Sequence, residues 1–179
     1  INGADLHGGV GWRSAIETLF PLPAMETPVD LVRIACHYSE LEDAFLATTW
    51  LVERGYRVGI NLMQISERKQ YEIENFGKMA SDSQIEVLYF ADSMGSMTPN
   101  MTSNIIGWLQ KNWSGPIGIH AHDNMRLALT NTLLAKEKGV TWLDATITGM
   151  GRGPGNTCME ELVIEAEVSS GCSADIAPM

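Results

Sequence analysis

The chain has 179 residues, of which 45% are hydrophobic, so it can bury one sizeable core, and no shift in composition divides it into two domains. Its 12 Lys and Arg residues against 22 Asp and Glu residues give a formal net charge of −10, which argues against nucleic-acid and anionic-membrane partners, because both require a cationic face. No apolar stretch approaches the ~20 residues of a bilayer span, and three scattered cysteines predict reduced thiols and a cytoplasmic location.

Short apolar segments rich in Val, Ile and Leu recur along the chain at intervals of about 25–30 residues. This composition is typical of parallel strands that are covered on both faces. Arg33 lies inside the first segment and is expected to be a buried ion-pair partner. Residues 1–4 add at most the tail of a sixth strand. The predicted strands are 31–36, 58–63, 87–91, 117–120 and 142–147.

Helices are predicted between these segments. Ser39 with Glu42 forms a capping-box pattern, and Thr98 places a capping residue before Pro99 in the first turn of another helix. The helix after the fourth strand is capped by Asp123 or Asn124, ends at Gly139, and is expected to bury Leu127, Leu129, Leu133 and Leu134. The other helices are predicted over about 40–54, 67–80, 99–112 and 157–169.

Alternating strands and helices indicate an α/β fold with a parallel sheet, either an open doubly wound sheet or a (β/α)8 TIM barrel. Polar residues follow strand after strand, and only a barrel brings all such strand ends to one mouth. We therefore predict a TIM barrel. A complete barrel needs about 250 residues and eight units. Residues 1–179 are predicted to form a single partial barrel domain, a C-terminal portion of about five to six units that lacks the first strands.

His120 and His122 stand at the end of the fourth predicted strand. Side chains two residues apart on a strand point to the same side, so two imidazoles there can bind one divalent cation. Such a pair is often only structural, but here polar loops precede and follow it. Neutral imidazole suits Zn, Mn, Fe or Co, and nearby carboxylates shift the preference towards Mn or Mg. We predict a divalent metal site, with Mn²⁺ first and Mg²⁺, Co²⁺ or Zn²⁺ as alternatives.

Four further residues are candidates for the site. Asp92 and Ser93 follow the third strand, where they either cap a turn or act in catalysis, Ser93 by hydrogen-bonding a substrate carboxylate. His37 follows the first strand and is either structural or part of the catalytic pocket. Asn156 either caps the last helix or offers an amide oxygen to the metal. The glycine-rich loop 149–155 is neither a P-loop nor a GxGxxG motif, and is predicted to close over a bound substrate.

The motifs at the strand ends resemble the HMG-CoA lyase-like (pyruvate carboxyltransferase domain) superfamily of metal-dependent aldolases and lyases. Within it, the chain is most similar to the branch of 4-hydroxy-2-oxovalerate aldolases. The resemblance covers nearly the whole chain and is carried by residues 32–37, 59–64, 89–95, 120–124 and 144–156.

This resemblance implies a barrel that holds one divalent ion through His120, His122 and an Asp of the first strand. The metal chelates a 2-oxo acid and stabilises the enolate that forms as a carbon–carbon bond breaks or forms. The implied function is an aldolase acting on a 4-hydroxy-2-oxo acid, with a 2-oxo acid and an aldehyde as its small-molecule partners. Ser93 would help to hold the substrate, and the position of Asn156 also reaches the metal in the lyase branch.

One departure from the family pattern concerns its first strand, which carries an Arg-Asp pair. The Asp is a metal ligand and the Arg polarises the substrate carbonyl, yet no Arg-Asp pair occurs in this chain. We therefore expect this polypeptide alone to bind metal weakly and to turn over poorly. An incomplete barrel would also expose unpaired strand edges, so we expect either poor solubility or pairing with another chain. The candidate partners are a second copy of the chain, as a homo-oligomer, and a partner dehydrogenase.

Three other functions remain open at this point. The first is an acyl-CoA-dependent lyase or Claisen-type synthase of the same superfamily, although the lyases carry a cysteine in the glycine-rich loop and residues 149–155 contain none. The second is a catalytically incomplete barrel that serves as a binding or interaction module. A metal-dependent hydrolase of the amidohydrolase type fits badly, because no histidine follows His122.

Overall fold

A computed structural model describes residues 1–7 and 11–168. Its centre is a sheet of five parallel strands in the order β1-β2-β3-β4-β5. The strands are β1 (Leu31–Cys36), β2 (Arg57–Leu62), β3 (Val87–Asp92), β4 (Ile117–Ala121) and β5 (Trp142–Leu143). The predicted α/β class and the partial barrel architecture are confirmed, and within the described residues the sheet does not close into a ring.

Helices follow the strands, and one more precedes them. They are α1 (Gly11–Leu19), α2 (Leu41–Glu53), α3 (Gln70–Ser81), α4 (Pro99–Gln110), α5 (Ala128–Glu137) and α6 (Met159–Val168). Helix α1 was not predicted. The Thr98 hydroxyl accepts from the Met101 amide at 3.4 Å, which confirms the predicted start of α4. Among residues 1–7 and 11–168, no helix has both the length and the apolar sequence of a bilayer span.

The predicted cap of α2 is wrong. Ser39 lies inside a short turn, Tyr38–Glu40, which precedes the helix. The carboxylate that caps this turn belongs to Glu40, and it accepts from the His37 amide at 2.8 Å. The capping box therefore lies two residues earlier than the sequence pattern of Ser39 and Glu42 indicates, because the chain turns tightly as soon as it leaves β1.

The buried face of α5 also differs from the prediction. The four leucines expected there are only partly buried, whereas the buried side chains are Ala128, Asn131, Thr132 and Ala135. The two polar residues on this face each have a partner: Asn131 donates to the Met97 carbonyl at 2.8 Å, and Thr132 shares a hydrogen bond with Thr157 at 3.0 Å. Small side chains and polar side chains with at least one hydrogen bond let α5 pack closely, although Asn131 Oδ1 is buried without a partner. Hydrophobicity alone does not predict this face.

The fifth strand is shorter than predicted. It pairs with β4 only through Trp142 and Leu143. The Thr146 amide donates to the Thr157 carbonyl at 3.0 Å, and Ile147 begins a short turn. The Asp144 amide still donates to the Ile119 carbonyl of β4 at 3.0 Å, but from Thr146 onwards the backbone bonds to the segment after the glycine-rich loop and does not continue the sheet. At the other edge, the predicted tail of a sixth strand is limited to one isolated parallel bridge, between Asn2 and Ala35.

The two faces of the sheet carry different side chains. One face packs against the helices and supplies much of the hydrophobic core, with fully buried residues such as Ile34, Val58, Ile60, Leu62, Leu88, Phe90 and Ile119. The strand register places the alternate residues on the concave face, because side chains alternate along each strand. This second set includes Arg33, Asn61, Tyr89, Gly118, His120 and Trp142.

Aromatic rings form the floor of the concave face. The Tyr89 ring lies over Gly118, where an added Cβ would come within 2.3 Å of a ring carbon. The Trp142 ring meets Tyr89 edge to face, with centroids 6.2 Å apart. The Arg33 guanidinium lies 4.4 Å from the Tyr89 centroid, within the range of a cation–π contact. The polar side chains at the carboxyl ends of the strands therefore stand above a rigid floor.

Candidate metal centre and active site

His120 and His122 meet at the carboxyl end of β4. Their ring centroids are 5.2 Å apart and their planes stand at 78°. The two rings come together because residues two apart on a strand share a face. The predicted approach of the imidazoles is confirmed, and their binding of a metal stays a prediction.

Asp144 joins this pair from the end of β5. Its carboxylate is 2.9 Å from His120 Nδ1, and Arg33 Nη1 lies 2.8 Å from one of its oxygens and 2.7 Å from the other. The predicted ion pairing of Arg33 is confirmed, but its side chain is half-buried rather than fully buried. Burial opposes ionisation of Asp144, but the hydrogen bonds from His120 and Arg33 outweigh it and hold the pKa of Asp144 below its ordinary value. We did not predict Asp144 as a site residue, although it opens the motif 144–156.

The environment of His122 favours the neutral imidazole. Burial lowers the pKa of His122, and the nearby charges of His120 and Arg152 lower it further. A neutral ring keeps the lone pair that a metal ion requires. His122 is therefore in the right protonation state to act as a ligand at neutral pH.

Asn156 lies directly opposite His122. The two residues form an isolated antiparallel bridge, a pairing that puts their side chains on the same side. Asn156 Nδ2 donates to the Met150 carbonyl at 3.1 Å, whereas Oδ1 is buried without a hydrogen-bond partner. An orphaned carbonyl oxygen costs free energy unless something donates or coordinates to it. This oxygen is thus a candidate ligand on the residue that is bridged to His122.

These donors suit a divalent cation in part. Two imidazoles and one amide oxygen are ligand types that Mn²⁺ and Zn²⁺ accept, with water or substrate at the remaining positions. Across residues 1–7 and 11–168, however, no group of three or more His, Cys, Asp or Glu side chains could hold a metal ion. The described residues therefore offer a partial coordination sphere without a carboxylate.

Ser93 shares a cleft with His122. The cleft has a volume of ≈ 340 Å³ and is lined by Gln64, Ser93, Met94, His122, Asn124, Arg152 and Gly153. Ser93 Oγ accepts from the Gln64 amide at 3.0 Å. Gln64 adopts a left-handed conformation with φ 53°, which is uncommon for a residue with a side chain and is often found at functional sites. The structure thus brings together Ser93 and His122, as predicted, and adds Gln64.

Asp92 is occupied by the turn that follows β3. It is 1% exposed, and its two carboxylate oxygens accept from the amides of Ser96 at 3.0 Å and Met97 at 2.9 Å. This is the turn-capping role that we considered for Asp92. A catalytic role for it stays a prediction.

His37 lies in a different cleft. That cleft has a volume of ≈ 330 Å³ and is lined by His37, Tyr38, Ser39, Met63, Gln64 and Arg68. Gln64 lines both clefts and so stands between His37 and Ser93. The structure does not place His37 beside the imidazole pair, and its catalytic role stays a prediction.

The glycine-rich loop 149–155 folds back on itself. The Asn156 amide donates to the Gly149 carbonyl at 2.9 Å, and the Asp123 amide donates to the Gly155 carbonyl at 3.0 Å. Gly155 has φ +98°, and a Cβ on it would lie 1.9 Å from the Gly149 oxygen. This fold positions Arg152 beside His122 and fixes Asn156. Closure of the loop over a substrate stays a prediction.

Comparisons with known proteins agree with one another. The family model described as HMGL-like matches residues 24–177. A 4-hydroxy-2-oxovalerate aldolase from Pelotomaculum thermopropionicum is 35% identical over 78% of this chain and 41% of its own length. The chain therefore spans less than half of that relative.

Solved structures give the same architecture. The N-terminal domain of a protein described as an aldolase, from Bacteroides vulgatus, has a TM-score of 0.79 and 28% identity over 98% of this chain and 56% of its own. The HMG-CoA lyase of Bacillus subtilis has a TM-score of 0.76 and 15% identity over 90% of this chain and 61% of its own. At 15% identity, this second likeness shows the fold alone.

Proposed function

Since this chain belongs to the HMGL-like family, we propose that it carries the metal-binding part of a carbon–carbon lyase that cleaves or forms a 4-hydroxy-2-oxo acid. The name of the relative that is 35% identical supports this substrate class, with a 2-oxo acid and an aldehyde as the products of cleavage. The observation that carries the proposal is the pair of imidazoles, 5.2 Å apart, together with Asn156, which is bridged to His122 and has a buried side-chain oxygen without a hydrogen-bond partner.

His120, His122 and Asn156 would hold the divalent cation, with Mn²⁺ as our first choice. Such an ion supplies Lewis acidity, which polarises the ketone oxygen of a 2-oxo acid. Arg152 lines the cleft that contains Ser93 and His122, and its positive charge attracts an anionic substrate.

Ser93 would orient the substrate carboxylate. Because its oxygen already accepts from the Gln64 amide at 3.0 Å, its hydroxyl proton remains available for donation into the cleft. A carboxylate of a 2-oxo acid is a strong acceptor for such a donor. The Gln64 amide thus sets the direction in which Ser93 donates.

Residues 1–179 would form one domain, a partial TIM barrel that lacks its first strands. The continuous five-stranded sheet and the single hydrophobic core of the described residues support this division. The exposed side chains of the concave face also support it, because strands of a complete barrel would cover them. Arg33 illustrates this point, since a third of its side chain, 33%, is accessible on that face.

The cysteines support a cytoplasmic location. Cys36 and Cys158 are free thiols in the described part of the chain, and Cys172 lies outside it. Burial raises the pKa of Cys36 to about 12, so this thiol stays protonated and unreactive. Free cysteines persist in reducing compartments.

We expect metal removal to abolish the activity of the full-length protein. After treatment with EDTA, release of a 2-oxo acid from a 4-hydroxy-2-oxo acid should fall to background, and Mn²⁺ should restore it, because the ketone oxygen loses its Lewis acid. The measurement couples 2-oxo acid release to a dehydrogenase, with acyl-CoA thioesters as the comparison substrates. Cleavage or synthesis of the thioesters alone would instead assign the protein to the acyl-CoA-dependent branch.

We expect the S93A variant to raise KM for the 4-hydroxy-2-oxo acid by about tenfold, because a hydrogen bond to a charged group contributes ~1.5 kcal/mol. The matched control is S96A, since the Ser96 hydroxyl contacts only the Ser66 hydroxyl, at 3.3 Å, among the described side chains. Steady-state kinetics measure both variants. An unchanged KM in S93A would remove Ser93 from the substrate site.

A further inference from the structure

A charged network lies beneath the imidazole pair on the concave face. Asp144 is its centre, because its carboxylate contacts both His120 Nδ1 at 2.9 Å and Arg33 Nη1 at 2.7 Å. Arg33 is held in turn by the Tyr89 ring, 4.4 Å from its guanidinium carbon. The side chains of His120 and Asp144 are 25% and 22% exposed, so the hydrogen bond between them is partly shielded from water.

This network determines which nitrogen of His120 carries the proton. An ionised carboxylate can only accept hydrogen bonds. Asp144 forms an ion pair with Arg33, whose Nη1 lies 2.8 Å from one of its oxygens and 2.7 Å from the other. His120 Nδ1 must therefore be the donor. In the neutral ring, Nε2 is then unprotonated, and it has no hydrogen-bond partner within residues 1–7 and 11–168.

We propose that Asp144 is a positioning residue that fixes His120 in the Nδ1–H tautomer, so that Nε2 presents its lone pair to the cation, and that Arg33 holds Asp144 in place. This inference rests on the metal site of the proposed function. Carboxylates that orient a metal-binding histidine in this way typically change metal affinity by ten- to a hundredfold when they are replaced.

The D144N variant tests this role without a change in side-chain size. Arg33 has only donors, so it retains the single oxygen of Asn and leaves the amide NH₂ facing His120 Nδ1. Nδ1 must then accept, and the proton moves to Nε2. The lone pair that the cation requires is lost, although the ring stays in place.

A second variant supplies the opposite result. In R33M/D144N no guanidinium competes for the Asn oxygen, so the amide can rotate and accept from His120 Nδ1–H. The Nδ1–H tautomer should return. A residue with a purely structural role would not show this reversal, because the double variant removes more native contacts than D144N does.

The matched control is D43N. Asp43 Oδ2 contacts His7 Nδ1 at 2.6 Å, the same type of hydrogen bond, but at an exposed position outside the candidate site. Replacing Asp43 therefore reproduces the chemical change without touching His120. It shows how far a lost Asp–His contact affects the protein as a whole.

The experiment measures histidine tautomers by ¹⁵N NMR in the metal-free full-length protein and Mn²⁺ affinity by titration calorimetry. We expect D144N to switch His120 to the Nε2–H form and to weaken Mn²⁺ binding by about ten- to a hundredfold. R33M/D144N should restore the tautomer, and D43N should change neither quantity.

The experiment distinguishes a failure of this inference from a failure of the proposed function. If the unmodified protein binds Mn²⁺ but D144N keeps both its tautomer and its affinity, the positioning role of Asp144 is overturned while the metal site stands. If the unmodified protein binds no Mn²⁺, the proposed function itself fails. If D144N does not fold, the test uses R33M/D144N alone, and absence of the Nδ1–H tautomer in that variant would overturn the inference.

Discussion

The H120A/H122A variant of the full-length protein is expected to lose Mn²⁺ binding and to cleave the carbon–carbon bond about a thousandfold more slowly. Loss of one electrostatic stabiliser raises the free energy of a transition state by ~4 kcal/mol, which corresponds to this factor. Both imidazoles of the 5.2 Å pair disappear, which leaves the oxygen of Asn156 as the one remaining ligand of the three that we propose. A single neutral oxygen does not retain a divalent ion at micromolar concentration.

The fold should survive this double change. Arg33 still neutralises Asp144 at 2.7 Å when His120 is gone, so no unpaired charge is left behind. Kinetics and metal analysis of the purified variant measure the effect, and circular dichroism measures folding. The control is H7A, because His7 contacts Asp43 at an exposed position outside the cleft. Retention of both activity and bound metal in H120A/H122A would show that catalysis takes place elsewhere.

The same variant distinguishes a catalytic function of this protein from a function as a binding module. A partial barrel that only serves as an interaction surface would show no metal-dependent turnover before the change, and none would be lost. The donor set in the described residues does not decide between these functions, because it lacks a carboxylate. Turnover by the unmodified protein decides between them.

Local sequence patterns predicted most of the fold. Four of the five strands lie within two residues of their predicted ends, because each is a short run rich in apolar residues that ends where polar residues begin. The pattern failed for β5, which ends at Leu143, since the chain there bonds to the segment after the glycine-rich loop. That outcome depends on a contact between Thr146 and Thr157, which no hydrophobic periodicity records.

The candidate site, like the fold, was predicted only in part from the sequence. His120 and His122 could be predicted because two residues on one strand share a face whatever the rest of the fold does. Asp144 could not, because its contact with Arg33 joins residues 111 positions apart. The position of Gln64 between two clefts likewise depends on its left-handed backbone, which glutamine rarely adopts. Long-range ion pairs and unusual backbone conformations thus required the structure.

The G155A variant is expected to destabilise the protein by about 3 kcal/mol, since a backbone conformation that disfavours side chains and a displaced neighbour each cost ~1–3 kcal/mol. Gly155 has φ +98°, and a Cβ there would lie 1.9 Å from the Gly149 carbonyl oxygen, which is backbone and cannot move away alone. The hydrogen bond from the Asn156 amide to that same oxygen, at 2.9 Å, should break.

Breakage of this hydrogen bond should also disturb the proposed metal centre. Asn156 pairs with His122 across an antiparallel bridge, so a displaced loop moves the amide oxygen away from the imidazoles. We therefore expect Mn²⁺ affinity to fall together with stability in G155A. Urea unfolding measures the first loss and titration calorimetry the second.

The control is G153A in the same loop. Gly153 also has a positive φ, +60°, but the nearest atom to an added Cβ is Asn124 Nδ2 at 4.0 Å. Its cost should be only the left-handed backbone strain, about 1 kcal/mol. A difference between the two variants isolates the close approach of Gly155 to Gly149 as the contact that holds Asn156 in place. Equal destabilisation would mean that backbone strain alone determines the stability of the loop, and that the fold of residues 149–155 does not position the ligand.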